Sequence, residues 1–266
     1  SFDPSWYDPA SPYVKIAVVE DGVYRLSAAD LAAAGASLSG AAPGTLRLLE
    51  NGREIPIRYT GDPNAVNGNA AIYFVGRRNR GTDEAWAYRN NPEWQSSTRY
   101  SLYSDTTYYW LTWGGASGQR YTPHASGDVF GDVTTTFRDT LHVETDTRYY
   151  DGDGSDAENP FYTRGEGYYG VRFSHGAVTI PANLSAQLVH PASSSDSLRV
   201  RVRVNSITAT RHRFTLEANI ADGATTAFQL LDEADWTGYA LQTLRASIDQ
   251  SDLPPGGSLD LRLTSH

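Results

Sequence analysis

The chain contains no cysteine and no methionine among its 266 residues. The absence of cysteine excludes disulfides, thiolate metal sites and a cysteine nucleophile within these residues, so packing alone has to stabilise the fold. No run of side chains approaches the roughly 20 apolar residues that a membrane helix requires. Lys15 is the only lysine and the net charge is -9. Because binding to phosphate backbones needs clustered basic charge, we expect no nucleic-acid partner.

The two ends of the chain point to a larger parent protein. The first residue is Ser1 rather than Met, and no positively charged leader with an apolar region follows it, as expected if a signal peptide has been removed. The last residues, 261–266, have the pattern of a strand that stops abruptly. We therefore expect a fragment of a longer, exported protein.

Short β-type runs, broken by turn signals, fill the first half of the chain. Asp21-Gly22 predicts a hairpin between the first two runs, and Asn51-Gly52 predicts another between the next two, because such dipeptides accept positive φ angles. Ser27 and Asp30 predict the capping box of a short helix that ends at Gly35. The predicted strands cover residues 14–19, 23–26, 46–49, 54–59, 72–75 and 108–113.

The second half shows a more regular alternation of apolar and polar residues. Between 198 and 204, Leu and Val alternate with Arg, which predicts one face in a core and an arginine ladder in solvent. Residues 213–220 and 259–263 repeat this pattern. Residues 232–248 fit either a bulged strand or a helix, and we favour the strand.

These patterns predict an all-β protein of two domains. Residues 1–123 are expected to form an antiparallel β domain with one short helix. Residues 124–266 are expected to form a jelly-roll-like β-sandwich, truncated at its C-terminal end, because many short alternating strands joined by turns are typical of that architecture.

The aromatic segment 92–113 is the most distinctive feature of the chain. Its second part, YSLYSDTTYYWLTW, resembles the Y-S-L-Y-x-D-T-x-x-Y-x-L-T-W stretch that precedes the catalytic domain of gingipain-like cysteine peptidases of type IX secretion, the sortase-like branch included. Residues 18–26, followed by a helix that closes on Ala34-Gly35, resemble the opening of the same family. Residues 141–144 and 163–173 resemble a further family passage, H-x-E followed by a Gly and aromatic stretch, although Tyr169 stands where the family has tryptophan.

The resemblance implies a non-catalytic N-terminal pro-region or scaffold of a secreted or cell-surface peptidase from a Gram-negative bacterium. The catalytic His and Cys of that family lie downstream, so this part of the protein is expected not to be an enzyme. The implied partners are the downstream catalytic domain of the same chain and the type IX secretion machinery. The implied roles are assisting folding, covering the catalytic cleft and docking.

Pro-regions of this family offer a basic residue to the peptidase cleft, which directs attention to one loop. Arg77, Arg78 and Arg80 form the densest basic loop of the chain, directly after the predicted strand 72–75, where a projecting turn is expected. The alternative is an ordinary charged turn.

An acidic segment is the best candidate for a metal site. Closely spaced oxygen ligands and flexible glycines suit Ca²⁺, which takes six to eight oxygens. The spacing is not that of an EF-hand, and a solvated acidic loop is the alternative. The candidate ligands are Asp151, Asp153, Ser155, Asp156 and Glu158.

Aromatic and acidic side chains leave two rival functions open. The first rival is a carbohydrate-binding module, because exposed aromatic rings stack on sugars. For these rings we favour the alternative that they fill an interdomain seam, since Tyr and Trp are the usual anchors of protein interfaces. The second is a glycosidase, which needs two carboxylates across a cleft. His142, which precedes Glu144, is interpreted as a hydrogen-bonded structural residue. The aromatic candidates are Trp86, Tyr88, Trp94, Tyr100 and Tyr103, and the acidic candidates are Glu144, Asp146, Glu158 and Glu166.

Overall fold

The structure is a computed structural model that describes residues 4–88, 91–123, 140–152, 164–172, 174–183, 197–222, 225–253 and 258–266. It is an all-β protein built from antiparallel sheets, as predicted. The chain divides into two compact units. Unit 1 is Ser1–Asp83 with Arg99–Gly131, and unit 2 is Glu84–Thr98 with Asp132–His266. Residues 84–98, which the sequence analysis placed in the first domain, thus group with the second unit.

Unit 1 contains two antiparallel sheets and the helix α1, Ala28–Ala33. The first sheet has the order β1-β7-β3-β4 and the second has the order β2-β6-β5. Apolar side chains from both sheets and from α1 join in one core, in which Tyr109, Phe74 and Leu48 are almost completely buried. The strands are β1 Tyr13–Val18, β2 Gly22–Ser27, β3 Arg47–Glu50, β4 Arg53–Ile55, β5 Arg58–Thr60, β6 Ala71–Gly76 and β7 Thr107–Thr112.

The predicted hairpin around Asp21-Gly22 is wrong. Strand β1 pairs with β7 and β2 pairs with β6, so the two runs that flank this dipeptide lie in different sheets. Gly22 is not among the glycines with a positive φ angle, and the Asp21 carboxylate binds the loop after β6 instead of closing a two-residue turn. The segment is a crossing between sheets.

Two other local predictions for unit 1 are confirmed. Asn51 and Gly52 have φ angles of 48° and 78° and join β3 to β4 as a hairpin. The Ser27 hydroxyl accepts the Asp30 amide at 3.0 Å while Asp30 accepts the Ser27 amide at 3.2 Å, which is the predicted capping box. Gly35 follows the helix with a φ of 86°.

Unit 2 contains a four-stranded sheet of order β10-β15-β12-β13, a two-stranded sheet β11-β14 and the hairpin β8-β9. The inward residues of the four-stranded sheet and of the β11-β14 sheet, such as Leu216 and Leu244, join in one core, as expected for a sandwich. A jelly-roll topology stays a prediction. The strands are β8 Arg148–Tyr150, β9 Gly167–Tyr169, β10 Gly176–Asn183, β11 Ser197–Asn205, β12 Arg211–Asp222, β13 Thr225–Thr237, β14 Leu241–Asp249 and β15 Ser258–Ser265.

The ambiguous stretch 232–248 is β-structure. It comprises the end of β13, a turn in which Gly238 has a φ of 87°, and most of β14. The prediction of one bulged strand over this stretch is wrong, because the turn divides it into two strands. A register shift does occur just before it, where Leu216 pairs with Asp232 and Glu217 with Leu230, so that Leu231 is an extra residue.

Short 3-10 helices connect several of these strands. No helix in the described part of the chain is long and apolar enough to cross a membrane. The 3-10 helices cover Pro4–Trp6, Pro43–Thr45, Gly81–Tyr88, Pro92–Trp94 and Gln250–Asp252.

Candidate functional site

The predicted basic loop follows β6 in unit 1 and is anchored at its base. Gly76 is required there, because a Cβ atom at this position would lie 2.7 Å from the Tyr24 ring. Asp21 accepts the Arg78 amide at 3.0 Å and also binds the Arg80 guanidinium. These contacts, the bond from the Arg78 amide foremost, lower the pKa of Asp21. The loop is therefore fixed to the connection between β1 and β2.

Polar residues of the aromatic segment hold the same loop from its other side. The Arg78 guanidinium forms an ion pair with Asp105 and lies 4.6 Å from the centre of the Tyr100 ring. The Asn79 amide donates to the carbonyl of Asp105 at 2.9 Å, and its side chain donates to the carbonyl of Ser104 at 2.9 Å. Asp21 and Asp105 were not among the candidate residues from the sequence. The signal for Asp105 was its place in the Y-S-L-Y-x-D part of the stretch that resembles the family.

The three arginines of this loop differ in what they can offer to a partner. Arg78 and Arg80 bind carboxylates of their own unit, and their side chains are 23% and 44% exposed. Arg77 is exposed and forms no ion pair with any described residue, while its amide donates to the Tyr109 hydroxyl at 2.9 Å. Tyr103 is 78% exposed. Arg77 and Tyr103 are thus the predicted residues that present most of their surface to solvent in unit 1.

Trp94, the remaining predicted interaction residue, belongs to unit 2. It lies in the 3-10 helix Pro92–Trp94, with the Arg164 guanidinium 5.4 Å from its ring centre. Directly after it, the carbonyl oxygens of Gln95 and Ser96 accept the Arg203 guanidinium at 2.9 and 2.7 Å. In the same segment Trp86 is 65% exposed and Tyr88 is buried.

A second aromatic group, missed by the sequence analysis, lies on unit 1. Trp6 contacts Tyr7, Tyr13 and Trp110 at ring distances of 5.8, 6.1 and 6.0 Å. The Lys15 ammonium lies 3.6 Å from the centre of the Tyr108 ring. The signal was the density of aromatic residues between positions 6 and 13. The rings meet at angles of 67°, 89° and 43°, so they pack against each other rather than forming a flat platform.

The acidic candidates for glycoside hydrolysis have separate hydrogen-bond partners. Glu144 accepts the Ser97 hydroxyl at 3.1 Å, and the same oxygen lies 2.5 Å from Nε2 of His142. Ser97 and His142 thus both bind the same Glu144 oxygen, which differs from the direct serine–histidine contact of a serine nucleophile triad. Glu166 accepts the Tyr149 hydroxyl at 2.6 Å. Asp146 is exposed, and Glu158 lies outside the described residues.

Most of the calcium candidates lie outside the described residues. Asp151 is exposed, and Asp153, Ser155, Asp156 and Glu158 lie outside the described residues. Within the ranges that are described, no group of three or more His, Asp or Glu side chains is placed to hold a metal ion. The calcium site stays a prediction.

A small space beside α1 is part of the core of unit 1. It has essentially no room for a water molecule, and apolar side chains line it, among them Leu31, Leu38 and Ile72. Ligand pockets typically enclose about 300 to 1,000 Å³ and carry a few polar groups. The space is interior packing.

No protein-family model, no curated protein and no solved structure matches this chain. The fold and side chains of the described residues define an all-β protein with two units, one of which carries an anchored basic loop.

Proposed function

We propose that these residues form the non-catalytic N-terminal pro-region or scaffold of a secreted or cell-surface, gingipain-like cysteine peptidase linked to type IX secretion. The chain contains no cysteine, so it holds no cysteine nucleophile. The peptidase chemistry would lie in a downstream catalytic domain, and the present residues would assist its folding, cover its cleft or dock it to the secretion machinery.

The observation that carries the proposal is the structural role of the residues that resemble the family. Tyr109 and Leu111 of the YxLTW stretch are fully buried in β7, which lies between β1 and β3. Asp21 of the DGVY stretch and Asp105 of the SLYxD stretch bind the arginine loop. Residues in such positions support a scaffold role, because they fix the core and one loop and do not converge on a reactive centre.

The basic loop supports a more specific role as a cleft cover. Arg78 and Arg80 are occupied by carboxylates of unit 1, whereas Arg77 is exposed and its backbone is fixed by Tyr109. Because a hydrogen bond already fixes the Arg77 backbone, binding would have to order only its side chain, which lowers the entropic cost of docking into a preformed pocket. Arg77 would therefore be the residue that enters the cleft.

The test uses this chain and the catalytic domain encoded downstream in the same gene. Inhibition of peptidase activity and complex formation are measured for the unchanged chain, for Arg77→Ala and for Arg58→Ala. Arg58 is a matched control, because it is exposed on β5 of the same unit and forms no ion pair with a described residue. We expect Arg77→Ala to weaken inhibition at least tenfold and Arg58→Ala to leave it unchanged.

The other outcomes separate the parts of the proposal. Inhibition that survives Arg77→Ala places the cleft contact elsewhere. Absence of any complex, together with refolding of the catalytic domain at the same yield without this chain, rejects both the cover and the folding roles. A gene without a downstream His and Cys would reject the peptidase family itself.

Carbohydrate binding is the second candidate, and the aromatic group around Trp6 and Trp110 favours it. Tyr7 and Tyr108 are 52% and 43% exposed, and exposed rings can stack on sugars. The steep angles between neighbouring rings argue against a flat sugar platform and favour the scaffold. Calorimetric titration with soluble glycans decides the matter, because a binding heat lost in Trp110→Ala would support the carbohydrate-binding module.

A further inference from the structure

The outward face of the β11-β14 sheet in unit 2 carries four arginines. Arg199, Arg201 and Arg203 alternate along β11, and Arg245 lies on β14. The antiparallel register places Arg201 directly opposite Arg245. Residues in such positions have Cβ atoms about 4.5 to 5.5 Å apart, and like charges there destabilise a sheet. The pair therefore imposes a cost on unit 2 that its own fold does not require.

In the four-stranded sheet of unit 2 the arginines are paired with carboxylates. Arg211, Arg213 and Arg262 each bind a cross-strand carboxylate with two guanidinium nitrogens, at distances such as 2.9 and 2.9 Å from Arg213 to Glu233. By contrast, Arg199, Arg201 and Arg245 are exposed and form no ion pair with any described residue. Arg211 binds Asp235, Arg213 binds Glu233 and Arg262 binds Glu217.

At one end of the row, Arg203 contacts the main chain of residues 95 and 96. The Arg203 guanidinium donates to the carbonyls of Gln95 and Ser96, which closes this end of the row. Burial lowers the pKa of Arg203, and the positive charge of Arg201 lowers it further. Arg199, Arg201 and Arg245 remain open to solvent on a chain whose net charge is -9. The open positions form a local basic surface on an acidic protein.

We infer that Arg199, Arg201 and Arg245 form a binding site for an extended acidic peptide segment that carries carboxylates on alternate residues. Alternate side chains of a strand are roughly 6.6 to 6.8 Å apart, so Arg199 and Arg201 match the spacing of alternate carboxylates on an extended peptide. Guanidinium groups bind carboxylates through two parallel hydrogen bonds. The bound carboxylates would also neutralise the repulsion between Arg201 and Arg245.

The remaining residues of this face favour a peptide over a polysaccharide. None of the β11 and β14 residues that share the outward face is aromatic, so no ring is present to stack on a sugar. The only carboxylate among them is Asp249, which lies opposite Ser197 at the far end of the row. The other outward residues are Asn205, Leu241, Thr243 and Ser247. This site is independent of the peptidase proposal, because it uses neither the arginine loop nor a catalytic domain.

The test measures fluorescence anisotropy of a labelled ten-residue peptide of alternating Thr and Glu, titrated with the full chain at low salt. We expect the double variant Arg201→Ser and Arg245→Ser to bind the peptide about tenfold more weakly, because the free energies of two modest surface contacts add to about that factor. The control, Arg211→Ser with Arg213→Ser, removes the same charge from the other sheet and should leave the affinity unchanged. Salt should weaken the binding of the unchanged chain, because the contacts are exposed.

Charge reversal supplies an independent measurement. Arg201→Glu with Arg245→Glu should lose the Thr-Glu peptide and gain binding to a Thr-Lys peptide of the same length. Melting temperatures at or above that of the unchanged chain would show that the serine variant is folded. If that variant unfolds, Arg245→Ser alone gives the same comparison.

Three results would overturn the inference. The first is equal binding of a Thr-Gln peptide, which would show that charge is not recognised. The second is binding of heparin, but not of the Thr-Glu peptide, through the same arginines, which would identify a polysaccharide site. The third is self-association of the chain. If it depends on Arg201 and Arg245 and the peptide does not reverse it, these arginines form an interface between copies.

Discussion

The Tyr109 hydroxyl donates to Oε1 of Glu50 at 2.5 Å and accepts the amide of Arg77 at 2.9 Å. The ring is fully buried against Phe74 in the core of unit 1. A single phenol thus connects β7, β3 and the start of the arginine loop, and this connection makes the loop and the core depend on one another.

Replacement of Tyr109 by Phe should lower the free energy of unfolding by about 1 to 3 kcal/mol, because it leaves a half-buried carboxylate oxygen of Glu50 and the Arg77 amide without their partner. Urea unfolding measures the change. Tyr108→Phe is the matched control, since Tyr108 is the neighbouring residue of β7 and is 43% exposed. Equal stability of the two variants would contradict the role assigned to the phenol.

The same hydroxyl gives unit 1 a defined response to alkaline pH. Burial, together with the hydrogen bond to Glu50, raises the pKa of Tyr109 above its ordinary value of 10.0. The contribution to stability is therefore fully present below about pH 10 and is lost as the pH rises through the folded pKa. The free energy of unfolding should fall more steeply above pH 10 in the unchanged chain than in Tyr109→Phe. Parallel curves would contradict the shift, because every other tyrosine is common to both proteins.

Neighbouring residues of β11 should respond in opposite directions to substitution. Val202 is partly buried against the core of unit 2 opposite Leu244, so Val202→Asp should cost about 1 to 3 kcal/mol by placing a charge without a partner against apolar side chains. Arg201→Ser removes the repulsion from Arg245 and should raise stability by about 0.2 to 1 kcal/mol at low salt. Thermal melts of both variants check this, and equal tolerance would reject the assignment of the two faces.

The calcium hypothesis for residues 151–158 predicts that millimolar Ca²⁺ raises the melting temperature relative to EDTA, by mass action on the folded state. Asp151→Asn should reduce that difference. Asp249→Asn is the control, because Asp249 is an exposed carboxylate of the same unit on β14. Identical melting in Ca²⁺ and EDTA would leave the segment as a solvated acidic loop.

Features that depend on neighbours in sequence were predictable. The capping box of Ser27 and Asp30 and the turn at Asn51-Gly52 are confirmed, because each is formed by residues three positions apart or closer. The alternation along β11 predicted its buried and exposed faces for the same reason.

Features that depend on distant partners were not predictable. The pairing of β1 with β7 joins residues that lie between 89 positions apart (Val18 and Thr107) and 99 positions apart (Tyr13 and Thr112). No local signal distinguishes this pairing from a hairpin with β2. The arginine loop was located from its composition, but the roles of its members follow from Asp21 and Asp105. The approach of Ser97 to Glu144 likewise joins segments that the sequence analysis placed in separate domains.

The assignment of residues 84–98 to unit 2 has a consequence for the order in which the protein can fold during synthesis. The segment leaves the ribosome before β7, yet its partner Arg203 is made more than a hundred residues later. Unit 1 can therefore acquire β7 before the later residues of unit 2 that contact this segment have been made. During synthesis the carbonyls of Gln95 and Ser96 are therefore without the guanidinium that binds them until Arg203 has been made.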